Sequence, residues 1–155
     1  MKEHHPTIEM ASPVDPSWRI GIIHSSFYKE GVSHLVKGAQ EMLEHAGIHS
    51  KNIRHYEVFG AFEIPLIGAE LAARKDIDAL IALGIVVQGE TSHAQLVTQS
   101  SAQAIMDVQV KYQIPFAFEI LAVDTLDLAL RRLDRGAEAA RAVLHSLALL
   151  KRIRS

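Results

Sequence analysis

Nine consecutive apolar residues, Ala79 to Val87 (ALIALGIVV), run directly into Gln88-Gly89-Glu90-Thr91-Ser92-His93. The run is far too short to span a bilayer, and it has no polar stripe. It must therefore be buried on both faces, as a strand is at the centre of a parallel sheet covered by helices above and below. This one segment calls for partner strands at both of its edges and for helices to connect them.

The rest of the chain supplies both. Trp18 to His24 (WRIGIIH) is a β-branched apolar run that stops at Ser25-Ser26, which reads as a buried strand. Val32, Leu35, Val36, Ala39, Met42 and Leu43 then recur at three- and four-residue steps, giving an amphipathic helix that Gly47 can cap. Asn52 to Val58 has weaker strand character. The turn Gly60-Ala61-Phe62-Glu63-Ile64-Pro65 follows it and feeds a helix over Leu66 to Arg74, with Pro65 suited to its first turn. A helix from about Ser92 to Val110 ends before Pro115, and Phe116 to Ala122 is a fourth strand. Asp124-Thr125 can start a short helix through Leu133, and Gly136 opens a last helix with Ala140, Val143, Leu144, Leu147 and Leu150 on one face.

Four β–α units with right-handed crossovers make an α/β fold, a three-layer α/β/α sandwich on a four-stranded parallel sheet, with flavodoxin-like strand order expected. The domain spans residues 18–155. Residues 1–17 hold Pro6, Pro13 and Pro16 and read as an extended N-terminal arm. Ligands of such sheets bind beyond the strand C-termini, where the strand order switches, so chemistry is sought in SSFYKE, FGAFEIP, QGETSH and the Ala122-Val123-Asp124 turn.

Composition narrows the chemistry. A formal net charge of −2, with basic residues dispersed except in Lys151-Arg152-Ile153-Arg154, provides no nucleic-acid footprint and favours small-molecule partners. The absence of cysteine excludes disulfides, thiolate nucleophiles and cysteine-based metal centres, and fits a cytoplasmic protein. MKEHHPTIEM has no apolar signal core and no membrane segment is expected. There is no GxGxxG, P-loop or GxSxG, and no aspartate ends the first strand. Dinucleotide folds, NTPases, α/β-hydrolases and phospho-receiver domains are thereby disfavoured.

Among the loops, QGETSH leads into a helix whose first N–H groups have no intrahelical partner. Gly89 permits close backbone approach, Thr91 adds a hydroxyl, and the helix end adds positive potential, so the loop can seat a phosphate. It can equally be a plain helix start capped by Thr91 or Ser92. His93 is the only one of nine histidines expected at a strand-to-helix switch, where an imidazole can move protons near neutral pH. Glu63 can accept hydrogen bonds from a polyol, while Phe62 and Phe27 fit either a pocket wall or the core. Glu41 and His45 stand one helical turn apart, but no third ligand is placed, and no metal is expected.

Gly60-Ala61-Phe62-Glu63-Ile64-Pro65 and Ala82-Leu83-Gly84 running into Gly89-Glu90-Thr91-Ser92-His93, with the spacing between them, resemble the 6,7-dimethyl-8-ribityllumazine synthase family of riboflavin biosynthesis. The resemblance extends from about Arg19 to the C-terminus. It implies a transferase that condenses 5-amino-6-(D-ribitylamino)uracil with 3,4-dihydroxy-2-butanone 4-phosphate, releasing inorganic phosphate and water, with no cofactor. It further implies that Phe27 stacks on the pyrimidine, that Ala61, Phe62 and Glu63 bind the ribityl chain, and that Ile85, Val86 and Val87 meet the pyrimidine edge. His93 is then the proton shuttle, Glu90, Thr91 and Arg132 hold the phosphate, and Phe118 reaches in from the adjoining subunit of a homopentamer or of an icosahedral shell of pentamers.

Departures from the family pattern are Phe59 for a proline, Tyr28 for an asparagine, Ala94 for an aromatic and Glu119 for a glycine. The loop before the last helix is shortened between Leu133 and Asp134, and Arg135 replaces a lysine. They leave open an alternative in which the chain is a catalytically impaired relative that binds flavin or lumazine, or forms a shell.

Overall fold

The computed structural model describes residues 13–155. Strands β1 (Ile20–Ser25), β2 (Ile53–Val58), β3 (Ala79–Val87) and β4 (Phe116–Val123) form one sheet in the order β2-β1-β3-β4, parallel throughout. Helices α1 (Lys29–His45), α2 (Ile64–Arg74), α3 (His93–Tyr112), α4 (Leu126–Leu130) and α5 (Arg135–Arg154) complete the three layers and the expected flavodoxin-like order.

The alternation along β3 accounts for its two-sided hydrophobicity. Ile81, Leu83 and Ile85 join Leu35, Val143 and Leu144 in a core beneath α1 and α5. Leu80 and Ala82 join Ile64, Ile105 and Phe116 in a second core beneath α2 and α3. Successive side chains of a strand point to opposite faces, so only an uninterrupted apolar run can serve both cores.

Gly47 ends α1 as its sequence position implies. At φ 112° its N–H bonds the Glu44 carbonyl, while the Ile48 N–H bonds that of Leu43. Ile48 and Leu43 share the α1/α5 core, completing a Schellman motif with its apolar contact. Other boundaries move by a residue or two. β1 begins at Ile20 because the Arg19 N–H is held by the Asp78 carboxylate at 2.7 Å, and α2 begins at Ile64 after a single 3₁₀ turn at Ala61–Glu63. The short helix stops at Leu130, not Leu133. Of the arm expected over 1–17, residues 1–12 lie outside the described ones. Val14 packs against the α1/α5 core, and the Trp18 N–H bonds the Asp15 carbonyl.

On β2, His55 Nε2 donates to Gln40 Oε1 of α1 at 2.6 Å, and the Gln40 amide in turn bonds Glu44. Lost hydration, and then the nearby His24, push the His55 imidazole below its ordinary value of 6.5. The unfolded chain thus binds more protons than the fold in the window just below 6.5, so stability is complete above that window and falls as pH drops through it. His55→Gln should flatten this slope when urea midpoints are compared between about pH 7.5 and about pH 5.5. An unchanged slope would contradict the assignment.

Candidate active site

The C-terminal ends of β1, β2 and β3 open into a cavity of about 510 Å³, a volume suited to a small molecule. It lies where the crossovers depart to opposite sides of β1 and β3, the place where a doubly wound sheet leaves a crevice. Ile85, Val86 and Val87 from β3 meet Ala61, Phe62 and Glu63 from the turn after β2 in its wall. Phe27 enters from the loop after β1, and His93 from the first residue of α3. All eight were singled out from sequence.

Hydrogen bonds fix these loops to one another. Ser26 donates from its backbone N–H at 3.3 Å and its hydroxyl at 2.5 Å to the Phe59 carbonyl, tying the β1 and β2 loops. The Phe27 ring stands edge-on to that of Phe59, with centroids 5.6 Å apart. The buried Ser101 hydroxyl of α3 donates to the Ala61 carbonyl at 3.2 Å, so the helix that begins with His93 also holds the β2 turn. Tyr28 adopts a left-handed conformation, φ 52°, to turn the chain from β1 into α1. That conformation is uncommon for an aromatic residue, and strain of this kind concentrates at sites.

At the start of α3, the hydroxyl of the N-cap residue Ser92 makes no capping bond. Thr91 Oγ1 accepts from the His93 N–H at 3.3 Å, and Gln88 Nε2 donates to the Thr91 carbonyl at 3.3 Å. The plain-cap reading therefore holds for Thr91 and not for Ser92. A Cβ on Gly89 would meet none of the described residues within 4 Å, and its φ is not positive, so the described fold makes no demand for glycine there.

Glu90 and Thr91 lie exposed beyond the cavity wall. Phe118 sits on β4 opposite Ala82, half-buried against the α2/α3 core, and Arg132 follows α4. Neither of these two lines the cavity of its own chain. Sequence reasoning passed over Ser25, Leu96 and Val97, which also line it. Leu96 and Val97 stand three and four residues after His93, the helical spacing that shares a face, and this was the available signal.

Chemically, the wall pairs aromatic and aliphatic surface for a planar ring with one carboxylate, Glu63, and one imidazole, His93. The N-terminus of α3 adds positive potential that favours an anion there. Among the described residues no group of three histidine, aspartate or glutamate side chains is placed to hold a metal, and no helix is long and apolar enough to cross a membrane.

A family model described as 6,7-dimethyl-8-ribityllumazine synthase matches residues 17–151. Curated proteins of that name are similar over nearly their whole length. The one from Limosilactobacillus reuteri (strain DSM 20016) is 37% identical over 142 residues, 88% of this chain and 92% of the relative. The one from Methylibium petroleiphilum is 37% identical over 145 residues, covering 93% and 91%. The one from Paracidovorax citrulli is 38% identical over 136 residues, covering 86% and 88%.

Proposed function

We propose, since this chain belongs to the 6,7-dimethyl-8-ribityllumazine synthase family, a family of riboflavin-biosynthesis enzymes, that it condenses 5-amino-6-(D-ribitylamino)uracil with 3,4-dihydroxy-2-butanone 4-phosphate. One observation carries this reading: the Ala61–Glu63 turn, the Ile85–Val87 strand end and His93 all border one cavity.

In this reading the pyrimidine lies on Phe27 with its edge at Ile85 to Val87, and Glu63 accepts hydrogen bonds from ribityl hydroxyls. The phosphate sits at the Glu90 and Thr91 amides with Arg132, whose planar fork matches an oxyanion. The 5-amino nitrogen adds to the ketone carbon, water leaves to form the imine, and phosphate departs by elimination. The ribityl-bearing nitrogen then closes the ring and water leaves again. No step changes the net oxidation state of the pair, so no redox cofactor is required. Each step moves a proton, and this reading assigns that task to His93, the one imidazole among the cavity's lining residues.

Phe118 and Arg132 stand outside the cavity of their own chain and complete the site of an adjoining copy. A cyclic homopentamer provides such head-to-tail contacts, and the exposed apolar side chains Phe62, Leu66, Leu96, Met106 and Val110 on the α2 and α3 side supply its surface.

A second reading, a relative with impaired turnover, rests on Ala94. Where the family carries an aromatic, this small residue borders a separate space of about 260 Å³ with Thr98, Ala122 and Asp124. Mixing the two substrates with purified protein distinguishes the readings. The first predicts lumazine absorbance with equimolar phosphate release, and the second predicts binding of riboflavin without either.

Arg132→Ala should weaken binding of the phosphorylated substrate roughly 10-fold to 100-fold, the loss of a charge-assisted contact, and leave the pyrimidine nearly unaffected. Equal losses in calorimetric titrations of the two substrates would contradict the assignment.

A further inference from the structure

Three serine hydroxyls surround the cavity, and two are accounted for: Ser26 donates to the Phe59 carbonyl and Ser101 to that of Ala61. Ser25 is the third. It ends β1 in the cavity wall, only 2% of its surface is exposed, and its Oγ has no hydrogen-bond partner among the described residues. Gly84, on the adjoining strand β3, has no side chain, and a Cβ there would stand 3.0 Å from Ser25 Oγ. The glycine thus leaves room for the hydroxyl and offers it no bond.

Buried polar atoms in folded proteins are almost always paired, because an unpaired one has lost its water without compensation. An unpaired hydroxyl in a ligand cavity otherwise lined largely by apolar groups is explained if its partner is the ligand. Both a donor and an acceptor, the oxygen is itself covered where it stands beside Gly84, and a turn between the staggered positions about χ1 is the motion that presents it to either kind of ligand group.

We infer that Ser25 Oγ is a specificity-determining contact to the ribitylaminopyrimidine substrate, made in the cavity wall at the end of β1. The inference rests on the proposed function and deepens it, since it separates the pyrimidine subsite from the phosphate subsite at the start of α3. The hydroxyl makes this part of the wall select a ligand with a hydrogen-bonding group there over an apolar ring of the same outline.

The test uses the assembled protein, Ser25→Ala, and two probes: 5-nitro-6-(D-ribitylamino)uracil, whose nitro group cannot form an imine, and inorganic phosphate. The variant should bind the nitro compound roughly 5-fold to 20-fold more weakly, as expected for one lost hydrogen bond, with phosphate affinity unchanged. Without ligand its melting temperature should equal or exceed that of the wild type, since an unpaired buried hydroxyl has been removed. Unchanged affinity for the nitro compound would overturn the inference while leaving the proposed function intact. A lower melting temperature with both affinities reduced would also overturn it, by revealing a structural hydroxyl. Failure of the wild type itself to bind the nitro compound would overturn the proposed function, and the inference with it.

Discussion

Gly136→Ala should destabilise the protein by on the order of 3 kcal/mol, enough to lower its melting temperature by roughly 10 °C in a domain of this size. Gly136 lies in the first turn of α5, where that helix crosses α1. An added Cβ would overlap the Leu35 carbonyl oxygen and stand 2.8 Å from its carbon and 3.0 Å from its Cα. These are backbone atoms of α1, in the turn that packs on α5, so no rotamer change relieves the overlap and α5 must shift. Alanine is favoured over glycine inside a helix by about 1 kcal/mol, which offsets only part of the strain. Gly89→Ala is the control, because its Cβ meets nothing within 4 Å. Denaturant midpoints measure both, and a midpoint for Gly136→Ala within error of wild type would show that the two helices part without penalty.

His93→Ala should lower kcat by about 10²-fold, the low end for removal of a general acid–base group. The loss is bounded because the cavity proposed to align the two substrates is built mainly from other residues, and alignment itself supplies much of an enzyme's acceleration. Affinity for the nitro compound should change little, since the proposed ring and ribityl contacts come from Phe27, the Ala61–Glu63 turn and the end of β3. Single-turnover measurements with saturating substrates separate the two effects. Unchanged turnover would remove His93 from the chemistry, and a matching loss of affinity would make it a binding group instead.

The two features most legible in the sequence were those that local physics dictates alone. β3 was set by a hydrophobic run that no surface element tolerates, and all nine of its expected residues form the strand. Gly47 was set by the one conformation that ends α1. The loops after β1, β2 and β3 follow from the rule for parallel sheets, and the cavity brings their chemistry-bearing residues together. Ser25 was passed over because a serine after an apolar run reads as a strand end, and only the packing shows its hydroxyl to be buried and unpaired. The left-handed Tyr28 was equally hidden, since an aromatic residue gives no local signal for that conformation. Phe118 and Arg132 differ in kind. The resemblance to a family singled them out, and a chain by itself cannot display the site proposed between two copies.

That shared site is the centre of the account, and hybrid oligomers test it most directly. His93→Ala and Arg132→Ala chains, each strongly impaired alone, are co-expressed in equal amounts, purified as mixed assemblies and assayed for lumazine formation at limiting phosphorylated substrate. If one subunit brings His93 and its neighbour brings Arg132, roughly a quarter of the sites in a random ring regain both, and activity returns to roughly a quarter of wild type. Activity no higher than the mean of the two separate variants would place both residues in one chain's site and contradict the account.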